Sequence, residues 1–405
     1  MAEFSLSAAT NLFKTKYGKL SENVYNSTNV TLARVKKSFD FTGNQMFVPN
    51  PLSFQGGVGS GSLPTANVAK YEDAIITSKK VYGVAQIERE SIKASMNDEG
   101  AFVRATKEVV KKTVESWMRN MSRCLWHDGT GSLGRGDGAT NVTGTGTTGD
   151  PYIVVLNADT KEANIEERDF WNYNAETSLL EVVDYVPSTK TVSLVGTSVG
   201  LAALTGAGPV LITVYFHMQG SKDNDPQGIK GILDATSGSL YTIPVQRRWR
   251  AGTAIAAGGA GITTDFMNTD MLEIQRKSGK VPDLIITSFT QYRKILNLLE
   301  DQKEYVVEPR AEELKGKVSF RGVEFMSAMG AVPIFPERFI EDDRIYYINS
   351  DFIEIFHRPD FGWFDDDGTV FLRTASSDSY EARYGGYLET YIVPVFHGVR
   401  TGLAT

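Results

Sequence analysis

Gly196-Thr197-Ser198-Val199-Gly200 places a serine between two glycines behind a strand pattern, the spacing of a hydrolase nucleophile elbow. That chemistry needs a helix directly after the serine, to hold it exposed and to help stabilise an oxyanion. Only Leu201 to Thr205 precede Gly206-Ala207-Gly208-Pro209. The expectation is therefore a turn in a β-rich segment, and a serine hydrolase using Ser198 is the remotest reading. Gly144, Gly146 and Gly149 match a dinucleotide fingerprint by letter, but Asp150-Pro151 and a strand follow where a helix should face phosphate. That stretch is expected to be a loop. His127, His217, His357 and His397 are scattered, none at metal-ligand spacing with another, and read as structural or surface histidines. Asp365-Asp366-Asp367-Gly368 lacks the later ligands of a calcium loop and reads as a hairpin turn. Arg247-Arg248-Trp249-Arg250 is the one dense basic run, open to contact with DNA, with a scaffold or with a neighbouring subunit. Arg135-Gly136-Asp137 is too short to mean adhesion. Cys124 is the only cysteine, which excludes an intrachain disulfide and thiolate-built metal sites. No catalytic, cofactor or metal site is expected, and the chain reads as no enzyme.

The elements around these residues suit association better than reaction. A length of 405 residues suggests two to four modules. Aromatics at 11% and charged residues at 22% indicate a folded chain. The formal net charge of -7 argues against a protein that grips nucleic acid, although weak, non-specific contact with double-stranded DNA remains compatible. Met1-Ala2-Glu3-Phe4 lacks a secretory pattern, and the most apolar stretch, Val210 to Met218, is broken by Thr213 and His217. A cytoplasm-like compartment without membrane contact is expected.

Residues 1–35 read as an arm with a weak helical stretch, Ala8 to Tyr17. Residues 36–90 hold two strand patterns, Ser38 to Val48 and Tyr71 to Ile87, joined by a glycine-rich connection from Pro49 to Pro64 that is too long for a tight hairpin. In residues 91–150, Ser95, Asn97 and Asp98 offer caps for a helix from about Asp98 to Trp126. Val103, Val110, Val114, Trp117, Met121 and Leu125 share one face of it, and Gly129 and Gly131 stop it. A Gly/Thr-rich loop with little to pack follows over 128–150. Residues 151–225 read as a small inserted β-barrel or sandwich, with strands Tyr152 to Leu156, Ser178 to Tyr185, Thr191 to Val195 and Val210 to Phe216. Residues 226–340 are mixed α/β. Thr269 caps a helix to Lys280, Leu284 to Thr287 forms a buried strand, Ser288 caps a helix to about Glu300, and strands follow at Val318 to Met326 and Ala331 to Phe335. Residues 341–405 carry returning strands at Arg344 to Ile348, Phe352 to Phe356, Val370 to Arg373 and Tyr380 to Val395, the last of which should join the sheet beside the long helix.

Local text strengthens this order of elements. Ile76-Thr77-Ser78-Lys79-Lys80-Val81-Tyr82-Gly83 leads to Ile87-Glu88-Arg89-Glu90 and the long helix. Gly279-Lys280-Val281-Pro282-Asp283-Leu284-Ile285-Ile286-Thr287-Ser288 precedes a helix bearing Tyr292, and Ala331-Val332-Pro333-Ile334 precedes Arg344-Ile345-Tyr346-Tyr347-Ile348-Asn349. Taken together over nearly the whole chain, these resemble the major capsid proteins of tailed bacteriophages. The resemblance implies an α+β capsid fold with N-terminal arm, extended E-loop, P-domain with a spine helix, and axial A-domain. It also implies hexamers and pentamers closing an icosahedral head around the genome, assembled in the host bacterial cytoplasm. A portal and possibly a decoration protein are implied partners, and the short arm from Met1 suggests a separate scaffolding protein. Encapsulin nanocompartments share the fold and stand as the alternative. Cross-linking members of the family use an E-loop lysine, and no lysine lies between Lys37 and Lys70 here.

Overall fold

The computed structural model describes residues 31–405 except 32–33, 39–40, 42, 54–69, 89–98, 247, 301–322, 328–329, 365–369, 371 and 375–377. The helix Ala8 to Tyr17, the loop tip, the capping residues Ser95, Asn97 and Asp98, and the acidic run Asp365-Asp366-Asp367 lie outside the described residues. Two compact units are present. The first gathers the described residues up to Phe47, Ile75–Ile229 and Glu354–Tyr391; the second gathers those of Val48–Ala74, Lys230–Ile353 and Ile392–Thr405.

The first unit is organised by the expected spine helix, Glu99–Trp126, whose 28 residues span roughly 40 Å at ~1.5 Å each. Val114, Trp117, Met118, Met121 and Leu125 bury one face, while Lys111, Lys112 and Glu115 are exposed. Gly129 and Gly131, both left-handed (φ 80° and 77°), end the run. The helix packs on the strand Lys79–Glu88, where Gly83 permits close approach: a Cβ there would lie 3.1 Å from Thr113 Cγ2 and 3.3 Å from Trp117 Cβ. The return strand Ser379–Ile392 pairs antiparallel with Lys79–Glu88, from Ser379 opposite Glu88 to Leu388 opposite Lys79. The last long strand thus joins the sheet beside the spine helix, as its pattern predicts. Ile353–Trp363 lies on the other side of the return strand, and short Lys36–Ser38 pairs with it in parallel.

The arms of the hairpin differ from their sequence reading. The first strand runs over Gln45–Ser53, not Ser38 to Val48, because the chain turns at Gly43 (φ 83°) after leaving Lys36–Ser38. Pro49 and Pro51 sit inside this strand. A two-stranded ribbon has one open edge on each strand, so their missing N–H groups need not disrupt the ladder. The second arm divides at Ser78 into Lys70–Thr77 and Lys79–Glu88. The Ser78 N–H donates to Asn44 O at 3.2 Å, closing the base of the hairpin.

The inserted module also departs from expectation. Its sheet has six strands in the order Ser132–Arg135, Tyr215–Met218, Phe170–Tyr173, Leu180–Val186, Thr191–Gly196 and Tyr152–Val155. The first and last are tied by Asp137 N donating to Val155 O (3.1 Å) and Asn157 N to Arg135 O (2.8 Å), which closes a small barrel. Two of these strands, Ser132–Arg135 and Phe170–Tyr173, fall where no strand is predicted. The region 128–150 is a packed part of the module, with Leu133 and Val142 in a core built around Trp171, Leu180, Leu194 and Phe216. The strand predicted from Val210 begins only at Tyr215, since Leu211 and Ile212 form an exposed turn after Pro209.

The second unit centres on a mixed six-stranded sheet, ordered Thr253–Ala256, Gly398–Thr401, Ile345–Ile348, Leu284–Thr287, Gly330–Pro336 and Val323–Ser327. Leu284–Thr287 is buried throughout, as predicted, parallel to one neighbour and antiparallel to the other. Ser288 caps Phe289–Glu300, its Oγ accepting from Gln291 N at 3.2 Å. The preceding helix begins earlier than expected. It spans Thr264–Ser278, capped by Thr263 rather than Thr269, with Thr263 Oγ1 accepting from Phe266 N (3.1 Å) and left-handed Gly279 at the other end.

Candidate functional site

Ser198 does have a helix after it. Val199–Leu204 follows directly, which corrects the expectation that Gly206 and Pro209 leave no room: six residues suffice when both ends are bonded. The serine is its N-cap, Oγ accepting from Leu201 N at 3.1 Å and donating to Glu176 Oε2 at 2.6 Å. Glu176 Oε1 takes the N–H of Gly200 at 2.6 Å. The hydroxyl is therefore buried and engaged in closing a helix terminus, with a carboxylate as its partner and no imidazole. A nucleophile needs a base to take its proton and a free approach for substrate. Ser198 has a cap's surroundings.

The other candidates separate likewise. Gly144 and Gly146 are left-handed turn residues (φ 89° and 79°) leading to the barrel strand Tyr152–Val155, not to a helix. His127 Nδ1 lies 3.3 Å from Asp128 Oδ1. His217 is buried, and burial holds its pKa below the usual imidazole range. His397 is buried with Nδ1 accepting from Asn349 N (3.2 Å), and burial lowers its pKa to about 4. His357 is buried in the strand Ile353–Trp363. Among the described residues no cluster of three or more His, Cys, Asp or Glu could hold a metal. In the basic run, Arg247 lies outside the described residues, Trp249 is buried with Nε1 donating to Leu240 O (3.1 Å), and Arg248 and Arg250 are exposed on either side. Among the described residues no helix is long and apolar enough to cross a membrane.

What the structure presents instead is surface suited to contact. On the sheet of the first unit, residues of Lys79–Glu88 alternate: Val81 and Ala85 are buried, while Tyr82, Val84 and Gln86 point to the opposite, exposed side. Tyr82 stands edge-on to Phe364 (5.7 Å) and Tyr387 (6.4 Å), and Val84 is 57% exposed. A solvated sheet face ordinarily carries polar side chains. The hairpin strands add exposed Phe47 and Tyr71. Periodicity in Lys79–Glu88 hints at this face, but the aromatic grouping joins residues too distant in sequence to be read together.

No family model matches the sequence, and no curated protein does. Solved structures resemble it throughout its length. A chain of the cyanophage A-1(L) capsid asymmetric unit superposes with a TM-score of 0.52 at 11% identity, covering 92% of this chain and 91% of that one. A Mycobacterium phage Cain chain gives 0.41 at 12% identity (99% and 98% covered), and a holo-encapsulin complex from Synechococcus elongatus gives 0.44 at 7% (93% and 89%). The first of these carries the assignment: the chain has the mixed α+β fold of a phage capsid protein.

Proposed function

We propose that this chain is the major capsid protein of a tailed bacteriophage, a virion component that self-assembles as hexamers and pentamers into an icosahedral head around double-stranded DNA. The observation that carries this reading is the fold match over nine-tenths of the chain. Supporting it are the arrangement of a spine helix against a long return strand, a two-stranded hairpin and an exposed aromatic sheet face. In such a protein, function is association, and many modest interfaces made together give a stable closed shell. A net charge of -7 suits a wall that must not cling to the genome it encloses. A separate scaffolding protein, a portal and a decoration protein would complete the particle, assembled in the host bacterial cytoplasm.

Negative-stain microscopy of the purified protein tests this. Closed icosahedral shells, DNA-filled when isolated from lysates, are expected. Shells loaded with an enzyme would move the assignment to an encapsulin-like compartment, and ester turnover lost in Ser198→Ala would move it to a hydrolase. A variant lacking residues 52–63 should remain folded and soluble yet form no shells. Normal assembly by that variant would show that the hairpin is not an assembly arm.

The shell should be held without covalent links. Residues 38–69 contain no lysine, and Cys124 is buried in the spine helix, where burial pushes its thiol pKa far up. Particles boiled in denaturing buffer without reductant should run as one band near 44.6 kDa. A ladder of heavier species would refute this.

A further inference from the structure

Residues 221–228 form a strap across the C-terminal end of the spine helix, pinned along its length. A Cβ at Gly131 would lie 2.3 Å from Ser221 O, and one at Gly228 would lie 2.2 Å from His127 O and 2.3 Å from Cys124 O. Asp223 N donates to Thr130 O (2.9 Å), Lys79 Nζ to Asp223 O (3.0 Å), and Arg123 Nη2 to Asp225 Oδ2 (2.8 Å). The last tie comes from the return strand. Glu389 Oε1 accepts from Gln227 N at 2.6 Å and from Thr390 N at 3.0 Å. Gln227 and Glu389 each stand two residues before the chain leaves the first unit, after Ile229 and after Tyr391.

Glu389 is 5% exposed, and among the described residues no cation lies within ion-pair distance of it. The groups that act on it through space come from each packed element: Lys79 on the neighbouring strand, and Cys124 on the spine helix, itself beside Arg123 and Asp225. Burial pushes the Glu389 carboxyl up to about 8, outweighing the two N–H donors and Lys79, which favour the anion. Protonated, its carbonyl oxygen serves both amides without a buried charge. Ionised, it leaves an anion that water can reach most readily once the strap is released.

We propose that Glu389 is a proton-operated clasp that fastens the 221–228 strap to the return strand when neutral and releases it when ionised. The sign follows from linkage. A group whose pKa is higher closed than open favours closure fully below its free value of 4.5, and loses that contribution as pH rises through about 8. The clasp is a property of the single subunit and is independent of the shell reading.

Hydrogen exchange on the full-length protein between pH 6 and 9.5 tests it, with rates normalised for the intrinsic base catalysis of exchange. In the wild type, protection of peptides covering 221–228 should fall as pH rises from 6 toward about 8, approaching tenfold per pH unit, and level off above it. Peptides from Thr264–Ser278 should stay level. In Glu389→Gln, whose amide oxygen can accept the same two bonds but cannot ionise, strap protection should be flat across the range. The same slope in that variant, or flat strap protection in the wild type, overturns the clasp. Should the variant not fold, the wild type decides alone: loss confined to the strap peptides supports it, and flat or chain-wide loss refutes it.

Discussion

Trp117→Ala is expected to destabilise the first unit by about 3–5 kcal/mol, the range for deleting a large buried aromatic. The indole is wholly buried, with Nε1 donating to Val81 O at 3.2 Å and the ring standing edge-on to Tyr384 at 5.1 Å. It therefore joins the spine helix to both central strands at once. Two losses combine in the alanine variant: a cavity opens against Gly83 and Tyr384, and the Val81 carbonyl loses a donor. Trp117→Phe keeps most of the packing and should cost less than the alanine change. Urea midpoints of the three proteins check the series, together with near-ultraviolet circular dichroism to confirm native packing. An alanine variant as stable as wild type would mean that the helix does not bury this face.

That face was readable because helix periodicity is local: residues three and four apart meet whatever the rest of the chain does. The cap at Ser288 was legible for the same reason, since it bonds within one turn. The closing strand of the barrel was not. Ser132–Arg135 is four residues long and contains Gly134, and its partner Tyr215–Met218 lies some eighty residues onward. A strand so short is made by its neighbours, and Gly134 is needed because a Cβ there would lie 2.9 Å from Thr160 Cγ2. Ser198 shows a rule misapplied. Gly206 does end the helix, but a six-residue helix needs no more room once Ser198 and Glu176 bond its first turn. Glu389 carried no local signal at all. A glutamate in a strand of tyrosines and glycines looks like an outward position, and only the strap over it makes it buried.

Asp270→Ala should destabilise the second unit by about 3–5 kcal/mol, because it strands a buried guanidinium. Asp270 is fully buried on the helix Thr264–Ser278, and Arg400 is nearly so on the sheet strand Gly398–Thr401. Two parallel bonds of 2.7 Å join them, Nε to Oδ2 and Nη2 to Oδ1, with the guanidinium 4.2 Å from the ring centroid of Phe266. This planar fork ties the helix to the sheet strand at one point, beside the core contacts of Met267, Met271 and Ile274. The pair's own net contribution is a different quantity from the cost of breaking it, because both charges have given up water. Asp270→Leu combined with Arg400→Met removes both charges and should cost less than Asp270→Ala alone. Thermal melts of the single and double variants separate the two terms. A double variant that loses more stability than the single change would mean that the pair adds more than the desolvation it costs. A near-wild-type Asp270→Ala would instead mean that water reaches Arg400, and that the helix is not fixed to the sheet at this point.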